Sequence, residues 1–269
     1  MRGATCFCKV YFCRLTFLVS QKVRSPLKNQ ILSALPESEY RRLSPYLKEV
    51  YFASGRILQE PDESIDRVYF PTQAMISLVS IMSDGATTEI GLVGNEGMVG
   101  LPAILGAKSS TCRSIVQIPG SAMKLSAKIL QQEFQRGGKL QQILLLYTQA
   151  LLTQVSQSAA CNRQHSIEER LARWLLSVQD CVLGNELPLT HEFIANMLGT
   201  RRSSVTVAAG KLQKTGIIRY NRGCITVLNR ELLEETACEC YCSIQNEFLR
   251  LLGFQRGQIS VRYRMDETK

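Results

Sequence analysis

Residues 191–210, HEFIANMLGTRRSSVTVAAG, decide the reading of this chain. They read as two short helices joined by a tight turn at Gly199. Ile194, Ala195, Leu198, Val205 and Ala208 give each helix one apolar stripe at helical spacing. Ala195 stands where a bulkier side chain would keep two helices from crossing closely, and Gly199 stands where the turn needs positive φ. The start of the second helix is left polar and basic, with Thr200, Arg201, Arg202, Ser203, Ser204 and Thr206. That combination is a helix-turn-helix presenting a recognition helix to a DNA major groove.

The segments around it agree. Residues 186–230 hold seven Lys/Arg and two acids, a net +5 within a chain of net +9. Such a local positive field suits phosphate binding. Ile217–Tyr220, a turn at Asn221–Gly223 and Cys224–Val227 read as a β-hairpin directly after the recognition helix, which makes it a wing. Arg222 at its tip has two readings, a DNA backbone contact or a solvated surface arginine.

A length of 269 residues, 45% hydrophobic and 20% charged, fits a globular protein of one large or two ordinary domains. The ten cysteines are scattered rather than arranged as a disulfide framework, which points to a reducing cytoplasm. The apolar run Val10–Val19 is broken by Arg14, and it is followed by no signal-peptide cleavage pattern. Residues 140–162 carry no charge, but five glutamines among them argue against a membrane span. No nucleophile–base pair, phosphate loop or spaced carboxylate pair suggests an enzyme.

Along the chain, residues 29–47 look helical, with Ile31, Leu32, Leu35 and Leu43 on one side and Pro36 interrupting. Short β-rich runs then alternate with turn residues from 49 to 125, which predicts a sandwich, roll or barrel. After Gly137-Gly138 a long helix runs from Lys139 to about Asn162. Leu140, Leu144, Tyr147 and Leu151 mark a heptad-like seam suited to a second copy of the helix, and Leu151→Glu is expected to break such a dimer. Residues 166–180 form an amphipathic helix capped by Ser166, with Leu171, Trp174 and Leu175 buried.

A β-rich unit, a long helix and a winged helix-turn-helix, in that order, resemble the Crp/Fnr family of bacterial transcription regulators. The resemblance covers about residues 27–236 and is most specific in 189–228, 66–71, 83–85 and 94–106. It implies an α+β chain. Residues 1–26 would be a disordered or mis-started tail, 27–136 a β-roll (double-stranded β-helix) effector domain, and 137–164 a dimerisation helix. Residues 165–236 would be the winged helix-turn-helix, and 237–269 a C-terminal helix and tail. It further implies a cytoplasmic homodimer on a palindromic double-stranded DNA site, a small-molecule effector, RNA polymerase as a further partner and no membrane. Arg202 and Ser203 are then the base-reading positions. Thr200, Arg201, Ser204, Thr206 and Arg222 complete the DNA-binding set.

Departures from the family pattern bear on the effector. Members that bind cyclic nucleotides carry Gly-Glu and, about ten residues on, Arg followed by Ser or Thr. Here Gly100 is followed by Leu101, and the arginine position holds Ser110, before Thr111. Leucine accepts no ribose hydrogen bond, and serine leaves a buried phosphate without its counter-charge. Cyclic AMP is therefore not the expected effector unless a shifted alignment brings Arg113 into the site. Ser156 matches a nucleotide-touching position of those relatives and reads equally as a serine bonded to its own helix.

Cys6, Cys8, Cys13 and Cys112 invite comparison with the iron–sulfur members. Their C-x-C-x4-C spacing is tighter than the usual arrangement, and spare thiols are the plainer reading. His165 and His191 are too few for haem and read as capping or phosphate-contacting residues. Cys238, Cys240 and Cys242 read as lying on one helix, where i and i+2 face apart, so the expectation is no metal site and no cofactor. A redox or metal sensor of the same architecture, acting through its cysteines, is the alternative function.

Overall fold

The computed structural model describes residues 29–182 and 184–254. Helices α1 (Gln30–Ser33) and α2 (Glu37–Leu43) occupy the stretch expected to be helical over 29–47. Pro36 splits them, since a proline pushes its predecessor out of the helical region. Seven strands follow: β1 (Lys48–Phe52), β2 (Ile57–Gln59), β3 (Arg67–Pro71), β4 (Met75–Ile81), β5 (Thr87–Val93), β6 (Arg113–Ile118) and β7 (Gly120–Ser126). They form two antiparallel sheets, ordered β1-β7-β3 and β2-β6-β4-β5, which make the β-roll. A 3-10 turn at Leu101–Ala103 lies between β5 and β6.

Helix α3 (Ala127–Gln135) leads through Gly137 and Gly138, both at positive φ, into α4 (Lys139–Gln164). Gly138 clears room for a distant cap, since a Cβ there would lie 2.7 Å from the Glu39 carboxylate. The Glu39 carboxylate accepts from the backbone N–H groups of Lys139 (2.9 Å) and Leu140 (2.8 Å), two of the otherwise orphaned donors at a helix start. Among the described residues, no helix is long and apolar enough to cross a membrane.

One face of α4 is sunk into the roll. Leu140, Leu144, Tyr147 and Leu151 are buried in one core with Val68, Phe70, Met98 and Leu125. The Tyr147 hydroxyl donates to the Met98 carbonyl at 3.1 Å. These four residues were expected at a dimer seam and instead fill the chain's own core. The helix is apolar nearly all round, so its heptad spacing alone could not say which stripe meets which partner.

Helix α5 (Ile167–Gln179) starts on a full capping box. The Ser166 hydroxyl accepts from Glu169 N–H, and the Glu169 carboxylate accepts from Ser166 N–H at 2.8 Å. Then come β8 (Glu186–Leu187), α6 (His191–Leu198), α7 (Arg202–Lys214), β9 (Ile218–Asn221), β10 (Cys224–Val227), α8 (Arg230–Thr236) and α9 (Cys240–Leu252). The third sheet is ordered β8-β10-β9. Helix α9 turns back onto α4, where Phe248 meets Tyr147 edge-on with ring centroids 6.4 Å apart. Arg230 ties α5, α8 and α9 together through Asp180 (2.8 Å), Glu234 (2.8 Å) and the Tyr241 hydroxyl (2.7 Å).

The helix-turn-helix unit shares a core with the roll: Met75, Val79, Leu92 and Ile118 pack with Trp174, Ile194 and Met197. Across that contact Trp174 Nε1 donates to Glu89 Oε1 at 2.8 Å. Gly97 shows how tightly α4 is seated, because a Cβ there would lie 2.4 Å from the Tyr147 hydroxyl and 2.7 Å from its ring. Gly97→Ala is expected to cost about 1–3 kcal/mol of stability, the usual range for overpacking. Urea unfolding checks this, and an unchanged midpoint would show that α4 is not held there.

Candidate nucleic-acid interface

Thr190 caps α6 by accepting from Phe193 N–H at 3.2 Å, and Gly199 ends it at φ 57°, ψ 48°. The turn closes when Thr200 N–H donates to the Ala195 carbonyl at 2.9 Å. Helix α7 then buries Val205, Ala208, Ala209 and Leu212 and turns Arg202, Ser203, Thr206 and Val207 to solvent. Arg201 is the exposed N-cap, and Thr200 and Ser204 are half-buried, so all six expected residues lie at or within the first turns of α7 and none is fully buried. The N-terminal end of a helix, with its unpaired N–H groups and positive dipole, suits phosphate oxygens.

The side chains there differ in their freedom. Arg202 makes only a loose 3.9 Å pair with Glu192, both well exposed, so its guanidinium can reach outward. Thr206 is more committed: its hydroxyl donates to the Arg202 carbonyl at 3.0 Å and lies 3.1 Å from His191 Nδ1. His191 in turn stacks on Tyr220 of the wing, centroids 3.9 Å apart. Lys211 is paired with Glu168 at 3.0 Å. A cleft of about 420 Å³ runs between the start of α5 and α7, lined by Ser166, Glu168, Ser203, Ser204, Val207 and Lys211.

In the wing, Asn221 pairs with Cys224, leaving Arg222 and Gly223 as a two-residue turn at φ 45° and 84°. Two consecutive positive φ values match the hairpin turn that suits twisted strands, and Gly223 supplies one without strain. Arg222 adopts the other although it carries a side chain, and so projects from the tip. Strand β8, only two residues long, was not legible in the sequence.

The expected effector residues differ in their surroundings. Leu101 is buried in the core of the roll. Ser110 accepts from Cys112 N–H at 3.1 Å, and Thr111 is exposed in the same loop. Ser156 is exposed on the outer side of α4. Arg113 is bonded to Glu60 at 2.8 Å, so its charge is already matched. The proposed iron–sulfur ligands Cys6, Cys8 and Cys13 lie outside the described residues.

Comparison with known proteins fits this geometry. The family model described as a cyclic nucleotide-binding domain matches residues 49–136, and that described as a Crp-like helix-turn-helix domain matches residues 169–236. The two models follow one another in the order seen in the structure. The chain belongs to the Crp/Fnr family. It is 20% identical over 217 residues to the global nitrogen regulator of Synechococcus elongatus, covering 77% of this chain and 97% of that protein. It is 26% identical over 204 residues to the transcriptional regulator SdrP of Thermus thermophilus, covering 70% and 93%. Among solved structures, FixK2 from Bradyrhizobium japonicum matches with a TM-score of 0.62 at 18% identity, covering 71% of this chain and 98% of its own. TTHB099, a regulator of the CRP family from Thermus thermophilus, matches with a TM-score of 0.59 at 18% identity, covering 70% and 96%. At such identities the structural likeness speaks for the fold alone. The protein is thus a Crp/Fnr-type transcription regulator with a helix-turn-helix, in a family of regulators rather than enzymes.

His191 offers a pH test of the interface. Burial, and then the charge of Arg202, hold its imidazole below the usual 6.5. A depressed pKa means that the neutral ring supports the fold fully above 6.5, and that this support is lost as pH falls through the lower, folded-state value. An NMR titration is expected to put the His191 midpoint below 6.5, moving up in Arg202→Ala. A wild-type midpoint above that value would contradict the packing against Tyr220.

Proposed function

We propose that the protein is a cytoplasmic homodimer that binds a palindromic operator, with one α7 in the major groove of each half-site. The exposed corner formed by Arg201, Arg202 and Ser203 at the start of α7 carries this reading. Arg202 and Ser203 read base edges; an arginine pairs bidentately with guanine O6 and N7. Thr200, Arg201, Ser204 and Arg222 approach phosphates, while Thr206 chiefly braces His191 at the helix crossing. RNA polymerase is the partner such a regulator meets at a promoter.

The dimer seam belongs on the outward stripe of α4. Leu145, Gln149, Leu152, Ser156 and Ala159 recur at alternating four- and three-residue steps and are all exposed. Leu145 and Leu152 keep 49% and 58% of their surface in solvent, an unusual state for two leucines on one stripe. This replaces Leu140, Leu144, Tyr147 and Leu151, and a charge at Leu151 now reads as damage to the core. By domain, 27–136 is the effector roll, 137–164 the dimerisation helix and 165–236 the reader. Cyclic AMP is not the effector, a reading supported by Leu101 in the core and by Arg113 matched to Glu60.

Selection of genomic fragments by the purified protein at fixed moderate salt tests the proposal. The expected product is a palindrome with half-sites about 34 Å apart. Arg202→Ala is expected to bind the same fragments about 1–3 kcal/mol more weakly and to lose preference at one base pair. Binding that is salt-sensitive and blind to sequence, or an unchanged motif in the variant, would contradict it.

A further inference from the structure

Four metal-binding side chains meet where α4 ends. Cys161 is fully buried on the last turn of α4, and His165, four residues on, lies on the same side as its C-cap. The chain returns there after α8. Cys238 lies in the loop and Cys240 opens α9, so the two do not share a helix, contrary to the sequence expectation. The i, i+2 objection therefore applies only to Cys242, which is half-buried against a different core. Cys161, Cys238 and Cys240 form a small buried cluster of their own.

The distances suit a tetrahedral ion. Cys161 Sγ lies 3.5 Å from Cys238 Sγ, and Cys240 Sγ lies 3.5 Å from His165 Nδ1. All four ligand atoms fall within 4.8 Å of one another. Zinc bonded to sulfur and nitrogen at its usual lengths sets S–S separations of about 3.8 Å and S–N separations of about 3.5 Å. Adjustments of about 1 Å or less would close the site.

The surroundings are those of a metal site rather than of stray thiols. The other ring nitrogen of His165, Nε2, faces the Glu239 carboxylate at 3.2 Å, the carboxylate–histidine arrangement that orients a ligating ring. Gln157 Nε2 donates to Cys240 Sγ at 3.1 Å. Arg170 and Arg173, both buried, place positive charge beside the sulfurs. Three thiolates and a divalent cation sum to one negative charge, which such guanidiniums offset.

We propose that Cys161, His165, Cys238 and Cys240 bind a structural zinc ion that fastens the start of α9 to the end of α4. With four protein ligands the site is closed, which fits a structural rather than a catalytic role. It lies one residue before Ser166, the cap of α5, and so stiffens the joint between the long helix and the reader. Binding releases the thiol protons and changes no oxidation state.

The test is a Co²⁺ titration of the reduced, metal-free full chain, followed by Zn²⁺. The expected result is one Co²⁺ per chain, with sulfur-to-cobalt charge-transfer bands and strong tetrahedral visible bands that Zn²⁺ bleaches. His165→Ala and Cys240→Ser are expected to lose those bands, and a Cys6/Cys8/Cys13→Ser variant to keep them. Glu239→Gln, at an exposed position, is expected to lower affinity about 10–100-fold. Wild-type protein without tetrahedral bands would overturn the proposal and needs no variant to fold. So would bands that survive in Cys240→Ser and vanish in the N-terminal variant, or a Cys161–Cys238 disulfide forming in the cobalt-loaded protein.

Discussion

The face of α4 bearing Leu140, Leu144, Tyr147 and Leu151 is held inside the β-roll, and the other contacts are arranged around that constraint. Burying such side chains contributes about 1.5–3 kcal/mol each, and the Tyr147 bond to Met98 leaves the helix one register. With that face sunk, α9 takes a neighbouring side through Phe248, and the stripe through Leu145 and Leu152 is left outward. The end of the same helix sets where Ser166 starts the reader. One rod therefore relates the roll, the C-terminal helix and the DNA-binding corner.

The reader is also held directly against the roll. Trp174 bonds Glu89, Gln117 donates to the Met197 sulfur at 3.5 Å, and Gly199 passes so close to Thr88 that a Cβ would lie 2.8 Å from its hydroxyl. These contacts join strand β5 and the face of its sheet to α5 and to α6, the first helix of the helix-turn-helix. The roll and the reader are thus mechanically continuous even though the expected nucleotide cassette is missing its charges.

Much of this was legible in the sequence where local chemistry decides the outcome. The turn at Gly199, the stripe ending at Ala208, the cap at Ser166 and the Arg222–Gly223 hairpin each depend on neighbours a few residues apart. What depends on distant partners was not legible. The Glu39 cap of α4 joins residues a hundred positions apart, and Trp174 meets Glu89 across the two units. That Leu140, Leu144, Tyr147 and Leu151 belong to the chain's own core was not legible either, because a helix apolar on most faces carries two heptad patterns and only packing shows which is used inside. Cys238 and Cys240 looked incompatible because a helix was assumed to include both. The loop before α9 brings them together with Cys161 and His165, from 77 and 75 residues away.

The most direct test of this arrangement is the solution mass of Leu152→Glu by light scattering, with its single tryptophan used to monitor the fold. The stripe assignment predicts a folded monomer with native tryptophan emission, in contrast to a dimeric wild type. A variant that stays dimeric, or a wild type that is itself monomeric, would contradict the assignment of α4's outward stripe to a second copy of the chain.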